Sequence, residues 1–363
     1  MINYFTPRLK SLVEFCSIDN KIYFLKTPGV AIEMEDSSKF IATVCKLMDG
    51  EKNPAQLKQA LSPLFPKETP YLENLLTVLD NEYLLEDVSR NYPDKLTDYD
   101  TTRWSRNIEF FGAHCKAMDN KYSYQEKLKS TKVVIFGLGG VGSNVLYNLV
   151  AMGVHNIRAI DFDEVELSNL NRQIIYNESD IGQLKSVAAK NRILQFIPDA
   201  NVEVINKKIS CGMEIEELIS GQDIVISAID QPREKIMDWF NVACVKQNIP
   251  FLCGALDSRL AIYYTIIPGQ TGCIECWKAS ASKSNFMFQN LIQEEGFVPS
   301  ASPNVAIMPF ISIVSGLIAS EFLKIVTGVA EPQSLGKLCA FDFISSQITI
   351  SESWQKNPAC LMC

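Results

Sequence analysis

The sequence predicts an α/β protein in two parts, a doubly wound parallel sheet from Thr131 to Cys363 and a small mixed module over residues 1–90. Three observations carry this. Continuous apolar runs at Lys132–Phe136, Asn156–Ile160 and Asp223–Ala228 read as strands covered on both faces. A glycine-rich turn and a helical stretch follow the first run, the order of a βαβ unit. Ahead of them, short β-prone runs precede three helical stretches. A length of 363 residues fits two domains, and 47% hydrophobic against 21% charged residues excludes global disorder.

In residues 1–90, Leu12–Ile18 and Lys21–Thr27 flank Asp19-Asn20, a hairpin signal. Helices are expected near Ser37–Met48, Pro54–Leu64 and Thr69–Leu79, the first capped by Asp36 or Ser37 and ended by Asp49-Gly50. Pro54 and Pro70 stand near helix starts, where a missing N–H costs nothing. Tyr83-Leu84-Leu85 could return as a strand. A hairpin with three helices is winged-helix-like. With 10 Lys+Arg against 13 Asp+Glu, this block lacks the basic face a DNA reader needs. Capture of an extended peptide by strand addition fits it better. Residues 91–130 are polar without clean periodicity and read as a linker followed by an arm, Thr101–Ala113.

The formal net charge of -8 argues against nucleic acid and anionic membrane as partners. Val305–Val326 is long and apolar, but Pro309, Glu321 and Lys324 favour a buried helix of a soluble protein. The start, MINYFTPRLKS, has no apolar signal core, so a cytoplasmic location is expected.

Gly137, Gly139, Gly140 and Gly142 form G-x-G-x-x-G between a strand and a helix, where backbone N–H groups can meet phosphate. Asp161, 19 positions past Gly142, and Asp163 close the second strand, and a carboxylate there suits a ribose hydroxyl. The bland alternative for Asp161 is a carboxylate in water. Ser168, Asn169, Asn171 and Arg172, then Lys185, add amides and two cations, which a triphosphate requires and an NAD-dependent oxidoreductase leaves unexplained. Asp230 ends the Asp223–Ala228 strand and is a candidate Mg²⁺ ligand; its bland reading is an N-cap for a helix from Pro232. Cys273/Cys276 and Cys360/Cys363 are two C-x-x-C pairs that suit a tetrahedral, closed, structural Zn²⁺ site. A redox dithiol is the other chemistry open to such pairs, but neither opens a helix after a strand.

Taken in order, the glycine loop, Asp161, Ser168–Arg172, Lys185, Asp230, the paired C-x-x-C and Arg103-Trp-Ser-Arg106-Asn resemble the ubiquitin-activating superfamily of adenylating enzymes. That superfamily includes the ThiF- and MoeB-like activators of thiamine and molybdopterin sulfur carriers. The resemblance spans about residues 100–363 and is nearest to the microcin C branch, with the pantocin A type of peptide-maturation enzyme as a relative. It implies a homodimeric adenylyltransferase using ATP, Mg²⁺ and Zn²⁺ to activate a carboxyl group on a ribosomally made precursor peptide, leading to nucleotidylation or cyclisation in antibiotic biosynthesis. It also implies that Arg106 acts as an arginine finger on the partner subunit's ATP, beside Arg172, Lys185 and Asp230. One departure bears on the product: Val298–Val305 has no cysteine where thioester-forming relatives carry one. Activation of a carrier protein ending in Gly-Gly is the alternative. A catalytically dead peptide-binding scaffold is a third reading, opposed by the full set of nucleotide residues.

Overall fold

The computed structural model describes residues 5–27, 29–233, 235–280 and 305–363. The chain divides into two compact units, Met1–Lys127 and Leu128–Cys363.

In the first unit, β1 (Pro7–Leu9) pairs antiparallel with β5 (Leu85–Asp87). Strands β2 (Glu14–Ile18), β3 (Lys21–Thr27) and β4 (Val30–Glu35) form an antiparallel sheet in that order. The β2–β3 turn at Asp19 takes a left-handed φ of 54°, as its Asp-Asn pair allows. Helices α1 (Phe40–Leu47), α2 (Pro54–Leu61) and α3 (Leu72–Asn81) share a core with β3 built on Ile22, Phe24, Val44, Leu57 and Leu79. The Asp36 carboxylate accepts from the N–H of Ile41 and Ala42, satisfying two donors at the start of α1. Asn53 and Gln56 form a reciprocal cap on α2, with Pro54 at its first position. The strand expected at Tyr83 starts at Leu85 instead, because Tyr83 is left-handed, with φ 59°.

Residues 91–130 are not a linker. They hold α4 (Asp98–Arg103), α5 (Ser105–His114) and α6 (Lys121–Ser130), the last crossing the unit boundary. Hydrophobic periodicity misses them because polar side chains occupy buried positions. Asp100, Lys121 and Gln125 are all buried. The Lys121 ammonium bonds to Glu109 at 2.9 Å and lies 3.4 Å from Glu86, a paired burial that apolar spacing cannot signal.

The second unit is built on one eight-stranded sheet, ordered β13-β12-β11-β10-β9-β6-β7-β8. Its parallel half comprises β6 (Lys132–Phe136), β7 (Asn156–Ile160), β8 (Asn201–Ile205), β9 (Ile224–Ser227) and β10 (Phe251–Leu256). Three antiparallel strands extend it: β11 (Leu260–Ile266), β12 (Lys337–Asp342) and β13 (Gln347–Ser353). The sheet is therefore mixed, where the sequence predicts a parallel one. Between them run α7 (Gly140–Ala151), α8 (Lys185–Phe196), α9 (Gly212–Ile219), α10 (Ile236–Gln247), α11 (Ile274–Ser280) and α12 (Met308–Thr327).

The two faces of the sheet are covered differently. Phe136 of β6 meets Phe240 of α10 edge-on, in a core shared with Ile215 and Ile219 of α9. Helix α12 packs on α7 and β10. It is long and apolar enough to cross a membrane, but half of that apolar window is buried within the unit. Its Glu321 carboxylate is buried too, accepting from the Ser334 N–H and hydroxyl and from Lys324. A helix whose apolar surface and single carboxylate are both satisfied by its own fold is a core helix.

After β6 the chain turns through Gly137, with φ 88°, and enters α7. A Cβ on Gly142 would stand 1.8 Å from the Gly137 carbonyl oxygen, so the first turn of α7 lies directly on the loop. Gly142→Ala should therefore destabilise the chain by about 1–3 kcal/mol in urea unfolding; an unchanged midpoint would show that the loop can open.

Candidate active site

Strands β7 and β9 lie on opposite sides of β6, so the loops leaving their carboxyl ends diverge and open a crevice. A cavity of about 750 Å³ occupies it, lined by the glycine loop, Asp161, Asp163, Arg172 and Asp230. Gly139 precedes α7 without a side-chain cap, leaving the first-turn N–H groups of that helix to face the crevice. Residues spread over Gly137–Asp230 thus converge through topology alone.

The two carboxylates after β7 differ. Asp161 is buried, and its oxygens accept from the Leu138 N–H at 2.6 Å and the Asp163 N–H at 2.8 Å. Burial pushes its pKa up, while those N–H bonds and the Lys185 charge pull against it. Asp163 is half exposed and pairs with the Lys185 ammonium at 3.0 Å. The Lys185 side chain is itself buried, and its backbone N–H donates to the Asp163 carbonyl. Lys185 therefore holds Asp163 in place, and Asp163 presents the more accessible carboxylate.

Arg172 lines the cavity, its guanidinium donating to the Ser168 carbonyl at 2.8 Å and to Asn171 Oδ1 at 2.9 Å. Ser168, Asn169 and Asn171 serve that turn: the Ser168 hydroxyl bonds to Glu166, and Asn169 Oδ1 accepts from the Glu166 N–H. Asp230 is exposed just beyond β9, and its carboxylate has no ion-pair partner among the described residues. It is not the N-cap of a helix from Pro232, because α10 begins at Ile236. Arg106 is exposed in the first turn of α5, within the other unit. The stretch Val298–Pro303, with Asn304, lies outside the described residues.

Several lining residues were not legible in the sequence. Lys207 and Lys208 follow β8, and the Lys208 ammonium sits 5.3 Å from the centre of the Phe162 ring. A third strand end after Asn201–Ile205 was the available signal, but its alternating polar pattern hid it. Cys253 also lines the cavity, and burial raises its thiol pKa.

Away from the crevice, Cys273, Cys276, Cys360 and Cys363 come together with all four sulfurs within 4.8 Å of one another. Cys273 to Cys360 is 3.7 Å and Cys276 to Cys363 is 3.4 Å. Tetrahedral thiolate ligands on zinc stand about 3.8 Å apart for bonds of about 2.3 Å, so the cluster matches that donor cage. The Asn357 N–H donates to Cys276 Sγ, and the Trp354 indole donates to the Gly272 carbonyl, tying the tail to the first pair. The other seven cysteines are dispersed; Cys115 is buried with its pKa raised to about 11, and His114 packs on Phe110.

The comparisons agree with this geometry. Residues 105–362 match the ThiF family model. The molybdopterin-synthase adenylyltransferase of Escherichia coli is 27% identical over 74% of this chain and 98% of its own. The sulfur carrier protein adenylyltransferase of Thermus thermophilus is 29% identical over 66% of this chain and 84% of its own. Among solved structures, E. coli MccB superposes with a TM-score of 0.80 at 23% identity, covering 98% of this chain and 96% of that one. The fold and the crevice define a nucleotide-binding α/β enzyme. The chain belongs to the ThiF family, as an ATP-dependent adenylyltransferase of that superfamily.

Asp230→Ala should leave thermal unfolding within about 2 °C, as expected for an exposed side chain with no partner. It should cost at least about 100-fold in turnover. ATP consumption at wild-type rate would remove Asp230 from the chemistry.

Proposed function

We propose that this chain activates a carboxyl group on a ribosomally made precursor peptide by adenylation. The substrate carboxylate attacks the α-phosphorus of ATP, the bond to the β,γ-phosphates breaks, pyrophosphate leaves, and an acyl adenylate remains. Little bond chemistry falls to the protein, so positioning and charge stabilisation carry the rate. The glycine loop and the α7 N-terminus face the phosphates. Asp163, the more open carboxylate, is better placed for the ribose than Asp161. Arg172, with Arg106 from the partner subunit of a homodimer, offsets the growing negative charge, and Lys185 orients Asp163. Asp230 would hold a divalent cation such as Mg²⁺, which when bound screens the triphosphate. The four cysteines would hold a structural Zn²⁺, closed to substrate.

One observation carries the peptide reading: the likeness to MccB runs over 98% of this chain, whereas the molybdopterin-synthase relative spans nearly its whole length in only 74%. The difference is the N-terminal part, whose three-stranded sheet and helices we read as a winged-helix-like clamp for an extended peptide. E. coli MccB has been crystallised with ATP and, separately, with N-formylated MccA, and is described as a microcin C7 biosynthetic enzyme. The second reading, activation of a sulfur-carrier protein, is favoured by the names of the sequence relatives. A scaffold without chemistry is opposed by the family assignment and by the convergence of Arg172, Asp163 and Asp230 on one crevice.

Incubation with ATP and Mg²⁺ separates the two. Short peptides encoded beside the gene, and a carrier ending in Gly-Gly, are each offered and examined by intact mass spectrometry. Adenylate addition or loss of water on a peptide is expected; modification of the carrier alone would establish the second reading. For the metal, acid release should give about one zinc per chain, and Cys276→Ser should lower both zinc content and Tm. Full thiol reactivity without zinc in the purified protein would overturn the assignment.

A further inference from the structure

Leu138, the second residue of the glycine loop, has a fully buried side chain. Both of its backbone polar groups are taken by side chains from elsewhere in the unit. Its N–H donates to Asp161 Oδ2 at 2.6 Å, and its carbonyl accepts from the Tyr176 hydroxyl at 2.9 Å. Asp161 and Tyr176 are themselves buried, 8% and 4% exposed, so neither bond competes with bulk water. The remaining Asp161 oxygen accepts from the Asp163 N–H. Just upstream, the Gly137 N–H donates to the Ile160 carbonyl at 2.8 Å. The Gly137 and Leu138 donors are thus used up inside the fold, and Gly139 begins the stretch whose donors face the crevice.

We propose that Asp161 and Tyr176 are positioning residues that clamp Leu138 from both sides and so aim the loop at the triphosphate. Asp161 then acts on phosphate binding through the loop and does not hold the ribose. The physical basis is the cost of turning a peptide group away from a buried carboxylate: the N–H would lose a charge-assisted bond and leave an ion unsatisfied. Donors held in this way need no reorganisation when the nucleotide arrives. Tyr176 also couples two parts of the site. It stands four residues beyond Arg172, and its N–H donates to the Gln173 carbonyl, so the turn that presents the guanidinium also presents the hydroxyl that fixes the loop.

The inference rests on ATP as the ligand, and the test keeps the two apart. Calorimetry on the full chain uses ATP with Mg²⁺, and adenosine, as probes. Tyr176→Phe removes one hydrogen bond and should weaken ATP about fivefold while leaving adenosine within about twofold. Asp161→Asn places an amide donor against an N–H and should weaken ATP by about tenfold or more, again sparing adenosine. An equal loss of adenosine and ATP in Asp161→Asn would restore the ribose role and overturn the clamp, as would wild-type ATP affinity in Tyr176→Phe. Should either variant not fold, residue-resolved hydrogen exchange of the wild-type chain decides: the Leu138 amide is expected to exchange slowly without nucleotide, and exchange at an open-loop rate refutes the proposal. A wild-type chain that binds no ATP refutes the nucleotide reading itself.

Discussion

Strand β6 is the hinge of this molecule's logic, because its two parallel neighbours carry the chain away in opposite directions. A parallel sheet whose order reverses at one strand must open at that strand's carboxyl end. Into that opening the chain delivers the glycine loop, the acid pair after β7 and Asp230 after β9. The opening needs a loop that hugs the first turn of α7, which only glycine at positions 137 and 142 permits. Remove that contact and no later residue of the crevice keeps its place.

Charge is then arranged around a fixed frame. Lys185 is spent on Asp163, and the Arg172 guanidinium is steadied by a backbone carbonyl and an amide oxygen, so neither cation wanders. Asp230 stands apart with no cation beside it among the described residues, as suits a group whose counter-charge comes with the nucleotide. Zinc-type ligation, by contrast, sits with the indole and backbone bonds that tie the chain's last residues to α11. Chemistry and staple are separate sites.

The parts of the fold most legible in sequence were those where one physical cause acts alone. β6 and β7 are read residue for residue, because a strand covered on both faces must be apolar throughout. The two C-x-x-C pairs announce their convergence because thiolate spacing has few other uses. Legibility failed where burial is polar or one-sided. α4–α6 hide behind buried Asp100, Lys121 and Gln125, and β13 is exposed along most of its length. Asp161 illustrates a subtler limit: its position after the glycine loop is visible in sequence, but the engagement of both its oxygens by backbone N–H groups is not. Spacing reveals that a carboxylate is present, and only three-dimensional structure reveals whether its lone pairs are still available.

The central claim is that this crevice directs a carboxylate to the α-phosphorus of ATP. Chromatography of the nucleotide products formed by the full chain with ATP, Mg²⁺ and its peptide tests it most directly. Pyrophosphate together with AMP, free or bound to the peptide, is the predicted outcome. ADP with inorganic phosphate would place attack at the other end of the triphosphate and contradict the account.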